Sequence, residues 1–317
     1  MAFPSFRGSE EIHDAIVVGA GPAGLAASIY LARAKLKSLV LEAEKPGEKL
    51  SVIRFIENYP GFPSTSGMEL ARRMVKHAES VGVKIMYPAR AISFELDGEP
   101  KIVRTREREY YVKNVLLTMG VQRKKLQIPG AADLIGRGVA YCAICDGSFF
   151  KGKDVALVGN DEETVFEGLH LSGLVNKIYL ISETETPKFQ QQSLEKLLSK
   201  GNVKQFAGHE ATEILGDSAV EKIKIRNAEG KTEELDVQGV FVAAEKTPVG
   251  AILANTGLKT DSSGCLEVDS QMRTSLPGVY AAGDITCGRK YQIAVSVGQG
   301  VTAALNIIRS HVEAKRK

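Results

Sequence analysis

The sequence predicts an α/β protein with two domains that each contain a Rossmann-like unit. Its 317 residues exceed the size of one compact core, so two domains are expected. Residues 14–45 follow the order strand, glycine turn, helix and strand, which is how a dinucleotide-binding domain begins. A second apolar strand enters a glycine turn at residues 155–168, "VALVGNDEETVFEG". These two segments are the observations on which the fold class depends.

The first of these segments predicts a nucleotide site. Residues 16–18 are continuously apolar, as in a parallel sheet covered on both faces. Gly19, Gly21 and Gly24 follow at the GxGxxG spacing. The first glycine permits the turn, the second lets a phosphate approach the backbone, and the third lets the helix pack closely on the strand. The helix N-terminus offers N–H groups and a partial positive charge to a pyrophosphate. The next strand ends in Glu42, which is placed to accept hydrogen bonds from ribose hydroxyls.

The bulk composition narrows the function classes. The chain is 44% hydrophobic and 25% charged, which is ordinary for a soluble globular protein. A net charge of +3 gives no reason to expect nucleic acid or a membrane surface as a partner. The first residues lack an apolar signal segment, and glycines interrupt the apolar run at residues 15–32, so no secretion or membrane span is expected. Four cysteines with one close pair suit a reducing, cytoplasmic location.

The close cysteine pair, Cys142 and Cys145 in "CAICDG", has three interpretations. Half of a zinc site would need two more ligands, which the isolated Cys265 and Cys287 and the scattered histidines do not offer by spacing, so no metal is predicted. A pair of inert buried thiols is the second interpretation. A redox dithiol is favoured, because two intervening residues allow a disulfide and favour a stabilised thiolate. Asp146 follows as a candidate proton shuttle or as a turn residue.

The glycine fingerprint, "CAICDG" and the second strand–turn–helix segment together resemble the low-molecular-weight thioredoxin reductases over nearly the whole chain. The likeness extends to four further motifs: "IENYPGF" (56–62), "VLLTMG" (115–120), "TSLPGVYAAGDI" (274–285) and "YQIAVSVGQG" (291–300). By position, the resemblance implies these FAD-binding residues: Gly19, Ala20, Gly21, Pro22, Ala23, Gly24, Glu42, Asn58, Thr118, Gly120, Gly283, Asp284, Gln292 and Ile293. The segment "PGEKL" (46–50) departs from the family. Where the family usually has Gly-Gly-Gln-Leu, this chain has Glu48 in place of the second glycine and Lys49 in place of the glutamine.

The resemblance also implies how the domains and cysteines work. Residues 1–124 and 250–317 would form the FAD-binding domain, and residues 125–249 would be an inserted nicotinamide-type domain that carries the cysteines. In this family the two domains rotate, so that the dithiol faces the flavin and then an external disulfide, such as that of thioredoxin. Cys145 would lie nearest the flavin, Cys142 would attack the substrate, and Asp146 would be the acid/base. A homodimer is implied as well.

The second glycine turn departs from the family at three places that would line one nicotinamide cleft. "VGNDEET" (158–164) has Asp161 and Thr164 at glycine-fingerprint positions, "ETETPK" (183–188) replaces the family's arginines, and Glu245 replaces a glycine. One carboxylate about 5 Å from a phosphate charge costs roughly 3 kcal/mol at an effective dielectric constant near 20. The residues therefore disfavour NADPH.

A structural role explains these acidic residues better. The sequence predicts that Asn160 caps the following helix and that Glu163 completes a capping box. NADH is left open, because Glu183 follows the next strand and would suit a free ribose 2′-hydroxyl. If neither nicotinamide binds, the electrons would come from reduced ferredoxin, a deazaflavin or substrate thiols.

The leading hypothesis is a thioredoxin-reductase-like flavoprotein that passes electrons from FAD through Cys142 and Cys145 to a protein disulfide. Two alternatives stay open. One is an FAD-dependent dithiol oxidase that passes electrons to oxygen, which fits the altered nicotinamide cleft equally well. The other is a non-enzymatic flavin redox sensor that signals through its cysteines.

Overall fold

The chain folds into two compact units. The structure, a computed structural model, describes residues 11–51, 53, 55–123, 126–243, 246–248, 250–253, 255–261, 264–286 and 291–316. Unit 1 comprises Met1–Gln122 and Thr247–Lys317, and unit 2 comprises Arg123–Lys246. Unit 2 is therefore inserted into the sequence of unit 1.

The helices and strands alternate along much of the chain, with an antiparallel meander in each unit. The strands are β1 Ile12–Val18, β2 Ser38–Leu41, β3 Ile85–Met86, β4 Ser93–Glu95, β5 Lys101–Arg104, β6 Glu109–Leu117, β7 Val121–Arg123, β8 Val139–Ala140, β9 Asp154–Val158, β10 Lys177–Ser182, β11 Val203–Ala207, β12 His209–Leu215, β13 Lys222–Asn227, β14 Thr232–Asp236, β15 Gly239–Val242, β16 Lys246–Pro248 and β17 Val279–Ala281. The helices are α1 Pro22–Arg33, α2 Glu48–Ser51, α3 Gly67–Ser80, α4 Ala143–Asp146, α5 Glu162–Ser172, α6 Gln191–Leu198, α7 Gly250–Leu253 and α8 Ile293–Ala314.

Unit 1 is built on a sheet with the strand order β3-β2-β1-β6-β5-β4, in which β17 also pairs with β6. Strands β1, β2, β6 and β17 run parallel to their neighbours in this group. Val18, the last residue of β1, pairs with Leu41 and Leu117, and Leu117 pairs with Ala281. These four strands therefore end at one edge of the sheet, and the segments that follow them meet there.

Both faces of this sheet are buried, which explains the continuous apolar run in β1. Ile16 and Val18 enter one core cluster, and Ala15 and Val17 enter the other, because side chains alternate along a strand. The second cluster also contains residues of α1 and α8. These two helices approach closely, since a Cβ on Gly300 of α8 would lie 2.1 Å from the backbone oxygen of Ala23.

Unit 2 has three layers. Its parallel sheet has the order β11-β10-β9-β15-β8, and β12-β13-β14 form a separate antiparallel sheet. Residues of β9 divide between two cores, with Ala156 packed among residues of the antiparallel sheet and Leu157 among residues of α5 and α6. The predicted α/β class with Rossmann-like units is thus confirmed. Among the described helices, none has the length and apolar character that a bilayer crossing requires.

Candidate functional site

The turn after β1 has the geometry of a phosphate-binding loop. Gly19 has a φ of +110°, and a Cβ on it would lie 2.6 Å from the backbone oxygen of Thr118. A Cβ on Gly24 would lie 1.9 Å from the backbone oxygen of Gly19. The helix therefore approaches the preceding turn more closely than a residue with a Cβ would allow. By contrast, the space around a Cβ on Gly21 is open, with none of the described atoms within 4 Å. A ligand therefore has room at Gly21.

The N-terminus of α1 suits an anion. Gly21 is the N-cap residue and Pro22 occupies the first helical position, where its missing N–H costs nothing. In this described segment no side chain caps the helix, and its first turn contains no acidic residue. The first N–H groups of a helix have no partner within the helix, and the helix dipole gives them a partial positive charge.

Two side chains join the ends of β2 and β6 to this turn. The carboxylate of Glu42 accepts hydrogen bonds from the backbone N–H groups of Ala20, at 2.6 Å, and Glu44, at 2.9 Å. The hydroxyl of Thr118 lies 2.9 Å from the backbone oxygens of both Val18 and Gly19. The acidic residue proposed for the ribose thus lies directly beside the glycine turn.

The segment after β17 reaches the same turn. Gly283 has a φ of +81°, and a Cβ on it would lie 3.1 Å from the Cβ of Ala23. Its backbone N–H donates to Oε1 of Gln299 at 2.8 Å. Asp284 accepts a hydrogen bond from the hydroxyl of Ser296 at 3.3 Å. Sequence reasoning missed Ser296 and Gln299, although their spacing from Gln292 on one helix could have indicated them.

Asn58 and Gln292, which are far apart in the sequence, are joined in the structure. The amide nitrogen of Asn58 donates to Oε1 of Gln292 at 3.1 Å. Gln292 is the N-cap residue of α8, Ile293 is the first residue of that helix, and Ser296 donates its N–H to the Gln292 carbonyl. A set of hydrogen bonds therefore links Asn58 through Gln292 and Ser296 to Asp284.

Gly120 and Lys49 complete this group. Gly120 has a φ of +68°, and Nζ of Lys49 lies 3.4 Å from the position of a Cβ on it. Nζ donates to the carbonyl oxygens of Val121, at 3.1 Å, and Met119, at 3.4 Å. Loss of hydration lowers the pKa of Lys49 below its usual value, and the attraction of Asp284 and Glu42 opposes this shift.

The arrangement of these residues fits FAD. The open space at Gly21 and the helix N-terminus suit a pyrophosphate, and the carboxylates of Glu42 and Asp284 suit sugar hydroxyls. The structure brings the sequence-selected residues of unit 1 into one group, through the contacts described above. These residues could hold the cofactor that the resemblance implies.

The redox pair lies in unit 2. Cys142 and Cys145 form a disulfide with Cα atoms 5.3 Å apart, and both residues are half-buried. Cys142 is the N-cap residue of α4, and its sulfur accepts the backbone N–H of Cys145 at 3.2 Å. Asp146, the last residue of α4, is also half-buried and donates its N–H to the Cys142 carbonyl. A hydrogen bond to sulfur favours the thiolate when this disulfide is reduced.

One expectation about the other cysteines needs correction. Cys265, which the sequence spacing suggested was an isolated thiol, is disulfide-bonded and buried. Cys287 lies outside the described residues. Within the part of the chain that the structure describes, no group of three or more His, Cys, Asp or Glu residues is arranged to hold a metal ion.

The N-terminus of α5 differs from that of α1, because its own side chains satisfy it. Asp161 is the N-cap residue, and its Oδ1 accepts the Thr164 N–H at 3.1 Å. The Thr164 hydroxyl accepts the Asp161 N–H at 3.4 Å, which completes a capping box. Glu162 and Glu163 lie in the first turn. The predicted cap, Asn160 with Glu163, is therefore wrong by one residue, since Asp161 has the extended backbone of a cap and Thr164 reciprocates.

The segment after β10 also covers this helix end. The N–H of Lys188 donates to the Asn160 carbonyl at 2.8 Å, and the N–H of Gln190 donates to Oε2 of Glu162 at 2.8 Å. Sequence reasoning did not foresee these contacts. Glu183, the candidate ribose ligand, is exposed, and Glu245 lies outside the described residues. The acidic turn is thus occupied by contacts within the unit.

Comparison with known proteins places the chain in a family. The profile of the family described as pyridine nucleotide-disulphide oxidoreductase matches residues 13–303. The thioredoxin reductase of Bacillus subtilis (strain 168) is 34% identical over 310 residues, which cover 94% of each chain. The crystal structure of thioredoxin reductase from Streptococcus pyogenes MGAS5005 has a TM-score of 0.90 and 31% identity, covering 96% of this chain and 100% of that chain.

A further solved structure is similar over nearly the whole chain. The crystal structure of a ferredoxin-flavin thioredoxin reductase from Clostridium acetobutylicum has a TM-score of 0.53 and 32% identity, covering 95% of this chain and 99% of that chain. The resemblance to low-molecular-weight thioredoxin reductases that the motifs indicated is confirmed by these matches. The chain therefore belongs to the pyridine nucleotide-disulphide oxidoreductase family and has the fold of its thioredoxin reductases.

Proposed function

We propose that this protein is a thioredoxin-reductase-like flavoprotein that reduces a protein disulfide, such as that of a thioredoxin, without NADPH as its electron donor. The disulfide between Cys142 and Cys145, half-buried and carried by a short helix, is the observation that carries the proposal. Bound in unit 1, FAD would supply a carrier for two electrons. A homodimer remains part of the proposal.

The cysteines would transfer the electron pair by thiol–disulfide exchange. Two electrons and two protons open the Cys142–Cys145 bond to a dithiol. The Cys142 thiolate then attacks one sulfur of the substrate disulfide, forming a mixed disulfide and releasing the other substrate sulfur as a thiolate. The Cys145 thiolate attacks Cys142, which restores the internal disulfide and releases the substrate as a dithiol. The protein is then oxidised, and the electron pair has passed to the substrate.

Two local features support this division of roles. The Cys145 N–H donates to the Cys142 sulfur, which stabilises a Cys142 thiolate as the attacking group. Asp146 follows on the same helix and would take the proton that the Cys142 thiol loses before it attacks, and return a proton to the substrate thiolate that is released. The order of attack follows the family resemblance, in which the first cysteine meets the substrate and the second meets the flavin.

The closed N-terminus of α5 supports a donor other than NADPH. A nicotinamide dinucleotide of the usual kind would place its pyrophosphate where Asp161 and Thr164 cap the helix. It would also meet the carboxylates of Glu162 and Glu163 and the segment that ends at Gln190. A reduced ferredoxin is our proposed donor, because a similar solved structure carries the name ferredoxin-flavin thioredoxin reductase. NADH and a deazaflavin are the alternative donors.

Reduction of the flavin by light under anaerobic conditions tests the relay without choosing a donor. The photoreduced protein is mixed with oxidised thioredoxin, and the return of the oxidised flavin band and the appearance of thioredoxin thiols are both followed. We expect one thioredoxin dithiol for each electron pair that the light step delivers, in the wild type and in Ser148→Ala, an exposed control beside the disulfide. Cys145→Ser should keep the flavin and yield none.

The outcomes separate the candidate functions. Full thioredoxin reduction by Cys145→Ser would overturn the relay. Peroxide formation from reduced small dithiols in air, with no thioredoxin turnover, would select a dithiol oxidase. A flavoprotein that turns over with no donor, yet changes its affinity for a partner on oxidation, would select a redox sensor.

A further inference from the structure

The FAD-fitting group of unit 1 contains a cation that the family pattern does not supply. Lys49 lies in α2, where the resemblance predicts a glutamine. Its ammonium group donates to the carbonyl oxygens of Val121 and Met119, which flank Gly120. Both acceptors are neutral carbonyl groups. Among the described residues, no carboxylate forms an ion pair with the Lys49 ammonium group.

Two carboxylates of the site act on this charge. Glu42 and Asp284 both attract the Lys49 ammonium group. Glu42 is fixed to the glycine turn through the Ala20 N–H, and Asp284 is fixed to α8 through Ser296. By the family resemblance, the first would meet the adenosine ribose of FAD and the second would meet the ribityl chain. The part of FAD that joins these two sugars is the pyrophosphate.

The charges of the site favour such a cation. Glu42 and Asp284 suit hydroxyl groups but repel a pyrophosphate, which carries two negative charges at neutral pH. The N-terminus of α1 opposes this repulsion only with the partial charge of a helix dipole. A lysine ammonium group supplies a full positive charge and three donors.

We propose that Lys49 is an FAD-binding residue whose ammonium group leaves one or both carbonyl oxygens and binds the pyrophosphate of the cofactor. The inference rests on FAD being the cofactor of the proposed function. It deepens that proposal by giving this chain a charged contact where the family pattern has a neutral amide. Binding of the cofactor would give the ammonium group of this otherwise exposed residue an anionic partner.

Binding of FAD to the flavin-free protein tests the role of the charge. The dissociation constant is measured by the quenching of flavin fluorescence, for the wild type and for Lys49→Met, Lys49→Gln and Lys49→Arg. Loss of one charge-assisted hydrogen bond corresponds to about ten- to a hundredfold weaker binding for Lys49→Met. Lys49→Arg should stay within about threefold of the wild type, because it keeps the charge. Lys45→Gln, an exposed lysine in the same segment, is the matched control.

Lys49→Gln separates charge from structure, because an amide can still donate to the Met119 and Val121 carbonyls. We expect it to bind FAD as weakly as Lys49→Met, with a smaller salt dependence than the wild type. Wild-type affinity in Lys49→Gln would show a structural role and overturn the proposal. If Lys49→Met does not fold, this variant alone decides.

Two further readouts identify the part of FAD that is bound. ADP, which carries the pyrophosphate but no flavin, should lose affinity by the same factor as FAD in Lys49→Gln. The midpoint potential of the bound flavin should not change. An unchanged ADP affinity, or a shifted potential, would place Lys49 at the flavin ring and overturn the assignment. A wild type that binds no FAD would instead refute the proposed function itself.

Discussion

Removal of the Asp161 side chain should loosen the first turn of α5 by an amount that the capping geometry sets. Asp161 accepts the Thr164 N–H at 3.1 Å and the Thr164 hydroxyl at 3.0 Å. Both bonds are accepted by the same Oδ1 atom, so Asp161→Ala removes both and leaves the buried Thr164 hydroxyl without this acceptor. Loss of an N-cap residue costs about 1 kcal/mol. Loss of a negative charge at a helix N-terminus adds about 0.3–1 kcal/mol.

Two other variants separate the cap from the charge. Asp161→Asn keeps a side-chain acceptor of equal capping quality and loses only the charge, so it should cost under about 1 kcal/mol. Thr164→Val removes the reciprocal hydroxyl and should cost about 1 kcal/mol. Because Asp161 and Thr164 share the same hydrogen bonds, the double variant should cost at least about 0.5 kcal/mol less than the sum of the single variants.

Hydrogen–deuterium exchange measured by mass spectrometry reports this loosening locally. The peptide that covers the first turn of α5 should exchange about nine- to thirtyfold faster in Asp161→Ala, which corresponds to roughly 1.3–2 kcal/mol. Peptides from β1 and α1 in unit 1 serve as the internal control. Unchanged exchange in Asp161→Ala, or an equal effect of Asp161→Asn, would show that the side-chain cap does not hold this helix end.

Three further outcomes follow from the structure. Cys145→Ser should leave Cys142 to form a stable mixed disulfide with a thioredoxin whose second active-site cysteine is replaced and whose first carries a small activating thiol as leaving group. The adduct should be visible on a non-reducing gel and absent when Cys142 and Cys145 are both replaced. Gly24→Ala should lower the free energy of unfolding of the apoprotein, measured in urea, by about 2 kcal/mol or more, because its Cβ would lie 1.9 Å from a backbone oxygen. Gly21→Ala, whose Cβ meets open space, should leave this free energy unchanged and weaken FAD binding. Burial raises the pKa of Asp14, but hydrogen bonds from Lys113 and the Lys37 N–H outweigh this effect and hold the pKa below 3.8. Asp14 should therefore stabilise the fold above about pH 4 and lose this effect as the pH falls, so that urea midpoints of the wild type and Asp14→Asn converge in acid.

The glycine turn after β1 and its flanking elements were predictable because their signals are local and agree with one another. An apolar strand, three glycines at fixed spacing and a terminal acid come from one continuous segment, and the parallel register then aligns Gly19, Glu42 and Thr118 at one edge. The Asn58–Gln292 hydrogen bond was reachable only through the family resemblance, since no spacing rule joins residues that far apart.

The sequence correctly predicted that side chains cap the N-terminus of α5, but not which residues form the cap. Asn and Asp cap helices equally well, so the sequence does not distinguish Asn160 from Asp161 as the N-cap residue. Thr164 stands at a position of the glycine fingerprint, and that pattern gives no sign that its hydroxyl completes the capping box. The hydrogen bonds of the Lys188 and Gln190 N–H groups could not be predicted from the sequence. An exposed loop has no periodic pattern of apolar residues that would indicate what it contacts. The carbonyl partners of Lys49 depend in the same way on tertiary structure.

Anaerobic titration of the purified flavoprotein tests the central claim most directly. Parallel samples receive NADPH, NADH, reduced ferredoxin or dithiothreitol while the oxidised flavin band is recorded. We expect dithiothreitol, acting through Cys142 and Cys145, and reduced ferredoxin to bleach the flavin, and neither nicotinamide to do so at millimolar concentration. Rapid bleaching by NADPH would contradict the account, because it would show that the capped and acidic end of α5 still admits a pyridine nucleotide.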